Sequence, residues 1–165
     1  LEHCHYLHTS PDAPMRPAMD ALLAAIGKRG PVFVYNQSYE GGVLRAMAEM
    51  FPDLAARLLA IPSRFVDLLK IARKHYYHPA MNGSWSIKSV LPTIAPELDY
   101  ANLGEVQEGG GAQQAFLEII AGGTEPARRT QLIRDLERYC ERDTFAMVRL
   151  AHAFAGGKTR TVAAR

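Results

Sequence analysis

A three-layer α/β fold is what this sequence predicts, on three observations. A wholly apolar run, Pro31-Val32-Phe33-Val34-Tyr35, lies between segments whose apolar residues recur at helical spacing. A run with no polar side reads as a central strand covered on both faces. The 165 residues, 48% apolar and 22% charged, have the size and composition of one folded domain, which excludes a chain disordered throughout. Helices around such a strand give a sheet between helical layers.

The elements follow in order. Residues 1–8 mix apolar and aromatic side chains with His3, His5 and His8, and read as a strand at or near a sheet edge. Pro11, Pro14 and Pro17 break the chain. Met19, Leu22, Leu23 and Ile26 predict a helix that Gly27 and Gly30 stop. The apolar strand ends at Asn36-Gln37-Ser38, and a helix with Val43, Leu44, Met47 and Phe51 follows, with Ser38 as its N-cap. Pro52 and Pro62 bracket a short helix over residues 54–59. Phe65-Val66 fits a brief strand, and residues 68–74 a helix. Residues 76–83 read as a loop, and Ser84 or Ser86 caps a short helix ending before Pro92. Gly109-Gly110-Gly111 precedes a helix over 112–121, and a long helix runs over 127–154. The domain is expected over 1–155, with a flexible tail over 156–165. One clear strand is few for a sheet. With a first residue that is not Met, this predicts further strands upstream of Leu1.

Charge is segregated. Between Arg57 and Lys88 stand six Lys or Arg against one acid, Asp67; residues 91–125 hold six acids and no Lys or Arg; after Glu125 nine basic residues face four acidic ones. Such blocks suit a polyanionic partner, or are simply solvated faces. No apolar run nears the ~20 residues of a membrane helix. Two cysteines, Cys4 and Cys140, form no disulfide framework, so a cytoplasmic location and no membrane partner are expected. His3, Cys4, His5 and His8 have metal-ligating side chains, yet they also read as ordinary edge-strand residues.

Two acids stand out. Asp143 falls on the apolar stripe of the long helix, four residues from both Tyr139 and Met147. An inward carboxylate requires a cation or hydrogen bonds; alternatively the helix breaks at Arg142 and Asp143 caps a new one. Glu40 lies just past the C-terminal end of the apolar strand, the edge where open α/β sheets bind ligands; alternatively it favours the helix dipole. Phe65, Tyr76, Tyr77 and Trp85 are interleaved with the basic block. They are either core residues or platforms for single-stranded bases, with Arg73, Lys74 and Lys88 on the phosphates.

The two acidic segments together resemble the DEDD 3′–5′ exonucleases of the ribonuclease H-like superfamily, in the tyrosine subclass. The second motif of that group is an apolar strand followed by Asn-x-x-Phe-Asp, and the counterpart here is Val32-Phe33-Val34-Tyr35-Asn36-Gln37-Ser38-Tyr39-Glu40, with Glu replacing Asp. The third is Tyr-x-x-x-Asp on a helix, here Tyr139-Cys140-Glu141-Arg142-Asp143. Arg64-Phe65-Val66-Asp67-Leu68 and Ser84-Trp85-Ser86-Ile87-Lys88 have counterparts between them. Residues 75–92 and 139–147 look like a bacterial domain-of-unknown-function family of that superfamily. The first motif, Asp-x-Glu on the first strand, is absent, because Asp135-Leu136-Glu137 belongs to the C-terminal helix.

The resemblance implies a ribonuclease H-like three-layer domain whose N-terminal strands are missing from this chain. It implies part of a metal-dependent nuclease, a 3′–5′ exonuclease that cleaves phosphodiesters with two Mg²⁺ or Mn²⁺ ions about 3.5–4 Å apart. Asp143 and Glu40 would bind metal and converge at the strand end, Tyr139 would orient the attacking water, and Asp67 would be a further ligand or a structural cap. Asn36, Tyr39, Arg73, Lys74, Trp85, Ser86 and Lys88 would contact a single-stranded 3′ end. Without the first motif, this chain alone is expected to bind metal weakly and to be inactive. The alternatives are a nuclease-like domain that has lost catalysis and binds nucleic acid or a protein, and a structural module of a larger enzyme.

Overall fold

The computed structural model describes residues 2–98 and 109–156. The first helix, α1 (Met15–Ala25), buries Leu23 and ends where Gly27 and Gly30 adopt φ of +60° and +87°, a region that disfavours side chains. That turn is gripped from a distance. The Arg64 guanidinium donates to the carbonyls of Ile26, Gly27, Arg29 and Gly30 at 2.8–3.1 Å. These carbonyls have no helical partner, so Arg64 acts as a C-terminal cap supplied from another element. Arg64→Met is expected to cost about 2 kcal/mol, since hydrogen bonds from charged donors contribute ~1.5–3 kcal/mol but this one is partly solvated. Urea denaturation checks it; an unchanged midpoint would remove Arg64 from the account.

The turn delivers the chain into β1 (Val32–Val34), which pairs in parallel with β2 (Phe65–Asp67) in the register Val32↔Phe65, Phe33↔Val66, Val34↔Asp67. Parallel pairing requires a crossover. It is supplied by α2 (Gln37–Met50), α3 (Ala55–Ala60) and a 3₁₀ turn, Ile61–Arg64. Further on come α4 (Leu68–His75), a 3₁₀ turn Pro79–Met81, α5 (Ile87–Ile94), α6 (Gly109–Ile120) and α7 (Pro126–Phe154). The fold is mixed α/β and mostly helical, around a two-stranded parallel sheet. No helix among the described residues is long and apolar enough to cross a membrane.

The helices pack with the sheet in three apolar clusters. Val32 and Phe65 join Leu23, Leu44 and Leu58 in a cluster with α1, α2 and α3. Tyr35 and Leu68 join Val90, Leu91, Ala146 and Leu150 in a cluster with α4, α5 and α7. A third cluster, with Ile119, Leu132 and Leu136, lies between α6 and the first half of α7. Tyr139 packs against both clusters that α7 visits, so this 29-residue helix, about 43 Å long, joins them.

Several expectations are corrected. Residues 2–9 form no strand. Side chains hold them along α7 instead: Leu7 packs into the α6–α7 cluster, His5 Nε2 lies 3.2 Å from Glu137, and Arg129 donates to the Thr9 carbonyl. β1 is not covered on both faces. It has one neighbour, and Phe33 remains 42% exposed. Ser38 does not cap α2. Asn36 holds the cap position with φ of +97° and no side-chain cap bond, because Asp67 satisfies the helix N-terminus from the next strand. Ser86 is the cap of α5, accepting from the Ser89 amide at 3.2 Å. Pro92 lies inside that helix: it forfeits one backbone bond, while buried Val90 and Leu91 keep the turn on the core. The glycines at 109–111 belong to α6 itself. The expected flexible tail over 156–165 lies outside the described residues except for Gly156.

Candidate functional site

The C-terminal ends of β1 and β2 lie side by side, and Asp67 fastens them. Its Oδ1 accepts from the backbone amides of Asn36, Leu69 and Lys70, and its Oδ2 from that of Gln37, at 3.0–3.4 Å. A carboxylate has about four lone-pair sites; three backbone N–H groups share Oδ1 and one reaches Oδ2. Asp67 is therefore both the N-cap of α4 and a clamp across the strand ends, 8% exposed. Of the two sequence readings of Asp67, the structure shows the cap, and these four bonds commit most of its accepting capacity to the backbone.

Glu40 stands in the first turn of α2. Its Oε2 is buried and has no hydrogen-bond partner. The side chain lines an apolar cavity of about 260 Å³ on the α1 side of the sheet, with Met19, Val32, Val34, Leu44 and Phe65. Burying a carboxylate oxygen without compensation is costly, so the local fold does not explain this group. Asn36 and Tyr39, on the same turn, are exposed, Tyr39 by 71%.

Asp143 comes from the opposite layer. α7 runs unbroken through it, which removes the reading of Asp143 as the cap of a new helix. Buried Leu132, Leu136, Ala146 and Leu150 mark the inward stripe of α7, and Tyr139 and Asp143 continue it at spacings of three and four, both half-buried. α7 packs against β1, and Tyr35, just beyond that strand, shares a cluster with Tyr139. The structure thus brings Tyr139 and Asp143 onto one face near the strand exit, while Glu40 looks into the α1-side cavity. Among the described residues no group of three or more His, Cys, Asp or Glu side chains is placed to hold a metal ion. His3 and His5 stack on each other at 5.6 Å, and buried His8 bonds to the Tyr6 hydroxyl and the Asp12 carbonyl.

Tyr35 ties this edge to the basic segment. Its hydroxyl donates to the Trp85 carbonyl at 2.8 Å. Burial, joined by the Asp67 carboxylate and opposed by Arg73, pushes its pKa up to about 12. The folded state therefore holds this proton more tightly than the unfolded chain, whose Tyr titrates near ~10. Stability is expected to be unaffected by Tyr35 below pH ~10 and to fall as pH rises from ~10 toward ~12. In Tyr35→Phe that alkaline loss should be shallower; identical denaturation profiles for the two proteins across this window would refute the assignment.

The remaining expected contacts are sorted by exposure. Arg73 and Lys74 are exposed in the last turn of α4, Lys88 is half-buried in the first turn of α5, and Ser86 is engaged as its cap. Sequence reasoning passed over Arg64, and also Asp135, a buried carboxylate on α7 that accepts from Gln131 Nε2 at 2.9 Å. The spacing Gln131-x-x-x-Asp135 was the available signal.

Residues 1–86, just over half of the chain, match the family described as a domain of unknown function, DUF2779. The match covers the strand exit, Glu40 and Asp67 and stops short of α7. No curated protein and no solved structure matches the chain.

Proposed function

The chain belongs to the DUF2779 family, and from that premise we propose that it is part of a ribonuclease H-like, metal-dependent 3′–5′ exonuclease acting on single-stranded nucleic acid. The carrying observation is the buried, unpartnered carboxylate oxygen of Glu40 at the exit of a parallel strand. An orphaned carboxylate beside a strand end suits a divalent cation, since Mg²⁺ and Mn²⁺ take carboxylate oxygens. The unpaired edge of β1 adds support. Two parallel strands seldom stand alone, and half-exposed Phe33 lies on the strand whose second edge is unpaired among the described residues. Further strands pair there in this reading, and one of them supplies the carboxylates that this chain lacks.

Bound divalent ions would lower the pKa of a water and neutralise charge on the phosphate. Glu40 contributes a carboxylate from the first turn of α2 and Asp143 one from α7. Tyr139, one turn before Asp143 on the same face, would orient the attacking water. Asp67 stays out of the ligand set and holds the two strand ends in register. The test is metal-dependent shortening of a 3′-labelled oligonucleotide by the longer protein, with Asp143→Asn as the control. No shortening in either metal would overturn the reading.

One observation favours a nuclease-like domain that binds nucleic acid without cleaving it. Glu40 is turned into an apolar cavity and away from the layer that carries Asp143. That domain would retain oligonucleotide binding while cleavage is absent from the longer protein in Mg²⁺ and Mn²⁺ alike.

A further inference from the structure

Four aromatic residues lie in the basic segment, and the structure gives three of them structural work. Phe65 packs into the α1–α3 cluster, and Tyr76 into the α4–α7 cluster, where its ring meets Phe154 at 5.9 Å. Trp85 is half-buried and pinned twice: its Nε1 donates to the Tyr76 carbonyl at 3.1 Å, and its own carbonyl accepts from Tyr35. Tyr77 is different. It is 63% exposed, and its ring leans on Trp85 at 6.3 Å. A large apolar ring in solvent, held by a fixed neighbour, has one face available.

Its surroundings are basic. Residues 68–94 contain Lys70, Arg73, Lys74 and Lys88, with His75 and His78, and no acid. Arg73, Lys74, His75 and His78 are all exposed. The chain neighbours of the two rings, His78 and Ser84, line a groove of about 550 Å³ together with Met81, Lys88, Pro92 and Thr93. That is room for one nucleotide-sized unit. The rings are also positioned relative to the strand exit, because the Tyr35 hydroxyl bond connects Trp85 to the residue just after β1.

We infer that Tyr77, backed by Trp85, is a stacking platform for one base of a single-stranded nucleic acid, whose phosphates meet the exposed Arg73 and Lys74 of α4 and, in the groove, Lys88. The inference rests on the reading that this chain handles nucleic acid, and it names the residue that grips the strand. Every base has a π-face, so the platform is tolerant of sequence, while the cations make binding salt-dependent. Packing of the exposed Tyr77 ring is limited to its contact with Trp85, so its removal should leave the fold intact.

The test is fluorescence anisotropy of the full 165-residue chain with fluorescein-labelled oligothymidylate and oligouridylate in EDTA at low salt. Tyr77→Ala should weaken binding of both roughly 5- to 100-fold with an unchanged melting temperature, and Tyr77→Trp should restore it. An abasic strand of the same length should bind the native and Tyr77→Ala proteins equally. Lys88→Ala should instead shallow the salt dependence by about one phosphate. Preference for thymidylate over uridylate, or the reverse, would identify DNA or RNA as the strand held. No binding of either strand, or equal binding by Tyr77→Ala, would overturn the platform. Because EDTA removes the metal, these outcomes are independent of cleavage. An uncleaved substrate defeats the nuclease and leaves the platform standing, whereas an indifferent Tyr77→Ala defeats the platform alone.

Discussion

Asp67→Ala is expected to destabilise the domain by about 3–5 kcal/mol, the largest stability effect of any single substitution considered. The loss of an N-cap costs ~0.5–2 kcal/mol. Here the same carboxylate also serves the Asn36 and Gln37 amides at the other strand end, and each buried N–H left unsatisfied adds ~1–3 kcal/mol. A domain of this size melts ~2–4 °C lower per kcal/mol, so the melting temperature should fall by about 6–20 °C. Asp67→Asn keeps one acceptor oxygen but turns an amide N–H₂ toward backbone donors, so it should recover less than half of the loss. Thermal denaturation followed by circular dichroism measures both. An Asp67→Ala protein as stable as the native one would mean that the clamp does not hold the strands, and would return Asp67 to the list of metal ligands.

The second large effect is on activity in the longer protein. Asp143→Asn preserves size and removes the charge that would bind a divalent ion. If Asp143 is a ligand, metal-dependent cleavage should fall at least ~100-fold, as it does when a group that stabilises transition-state charge is lost. Folding should survive, because Asp143 lies within α7 and caps no helix, and Asn keeps its size and one accepting oxygen. Tyr139→Phe keeps the ring that packs against both clusters and deletes only the hydroxyl, so cleavage should drop less while manganese binding is retained. Manganese-dependent degradation of a 3′-labelled strand, read beside melting temperatures, separates the cases. A fully active Asp143→Asn protein would leave the nuclease proposal without its central residue.

Local pattern made much of the fold legible. Apolar spacing placed α1, α2, α3, α4 and α7 to within a residue or a turn, because a helix that buries one stripe must repeat its apolar residues at that period. The strand of Val32 to Val34 was legible from its β-branched and aromatic run, and Asp143 from its intrusion into an apolar stripe. Residues 1–8 misled, since alternation predicts an extended chain but not its partner; packing on α7 replaced pairing in a sheet. Ser38 misled because cap preference is a local rule, and here a carboxylate 30 residues away does the capping.

By itself, the sequence determined which stretches are helical, which strand is apolar, where basic and acidic residues cluster, and which acids are out of place. Those properties depend on neighbours within a few positions. Tertiary structure alone decided that Asp67 is a clamp, that Arg64 closes the end of α1, that Glu40 faces an apolar cavity, and that of four aromatics Tyr77 remains exposed. Each of these is a contact between segments distant in the chain, and a hydrogen bond or a buried surface exists only once the backbone has brought its two partners together. The sequence states which groups require a partner, and only the fold assigns one.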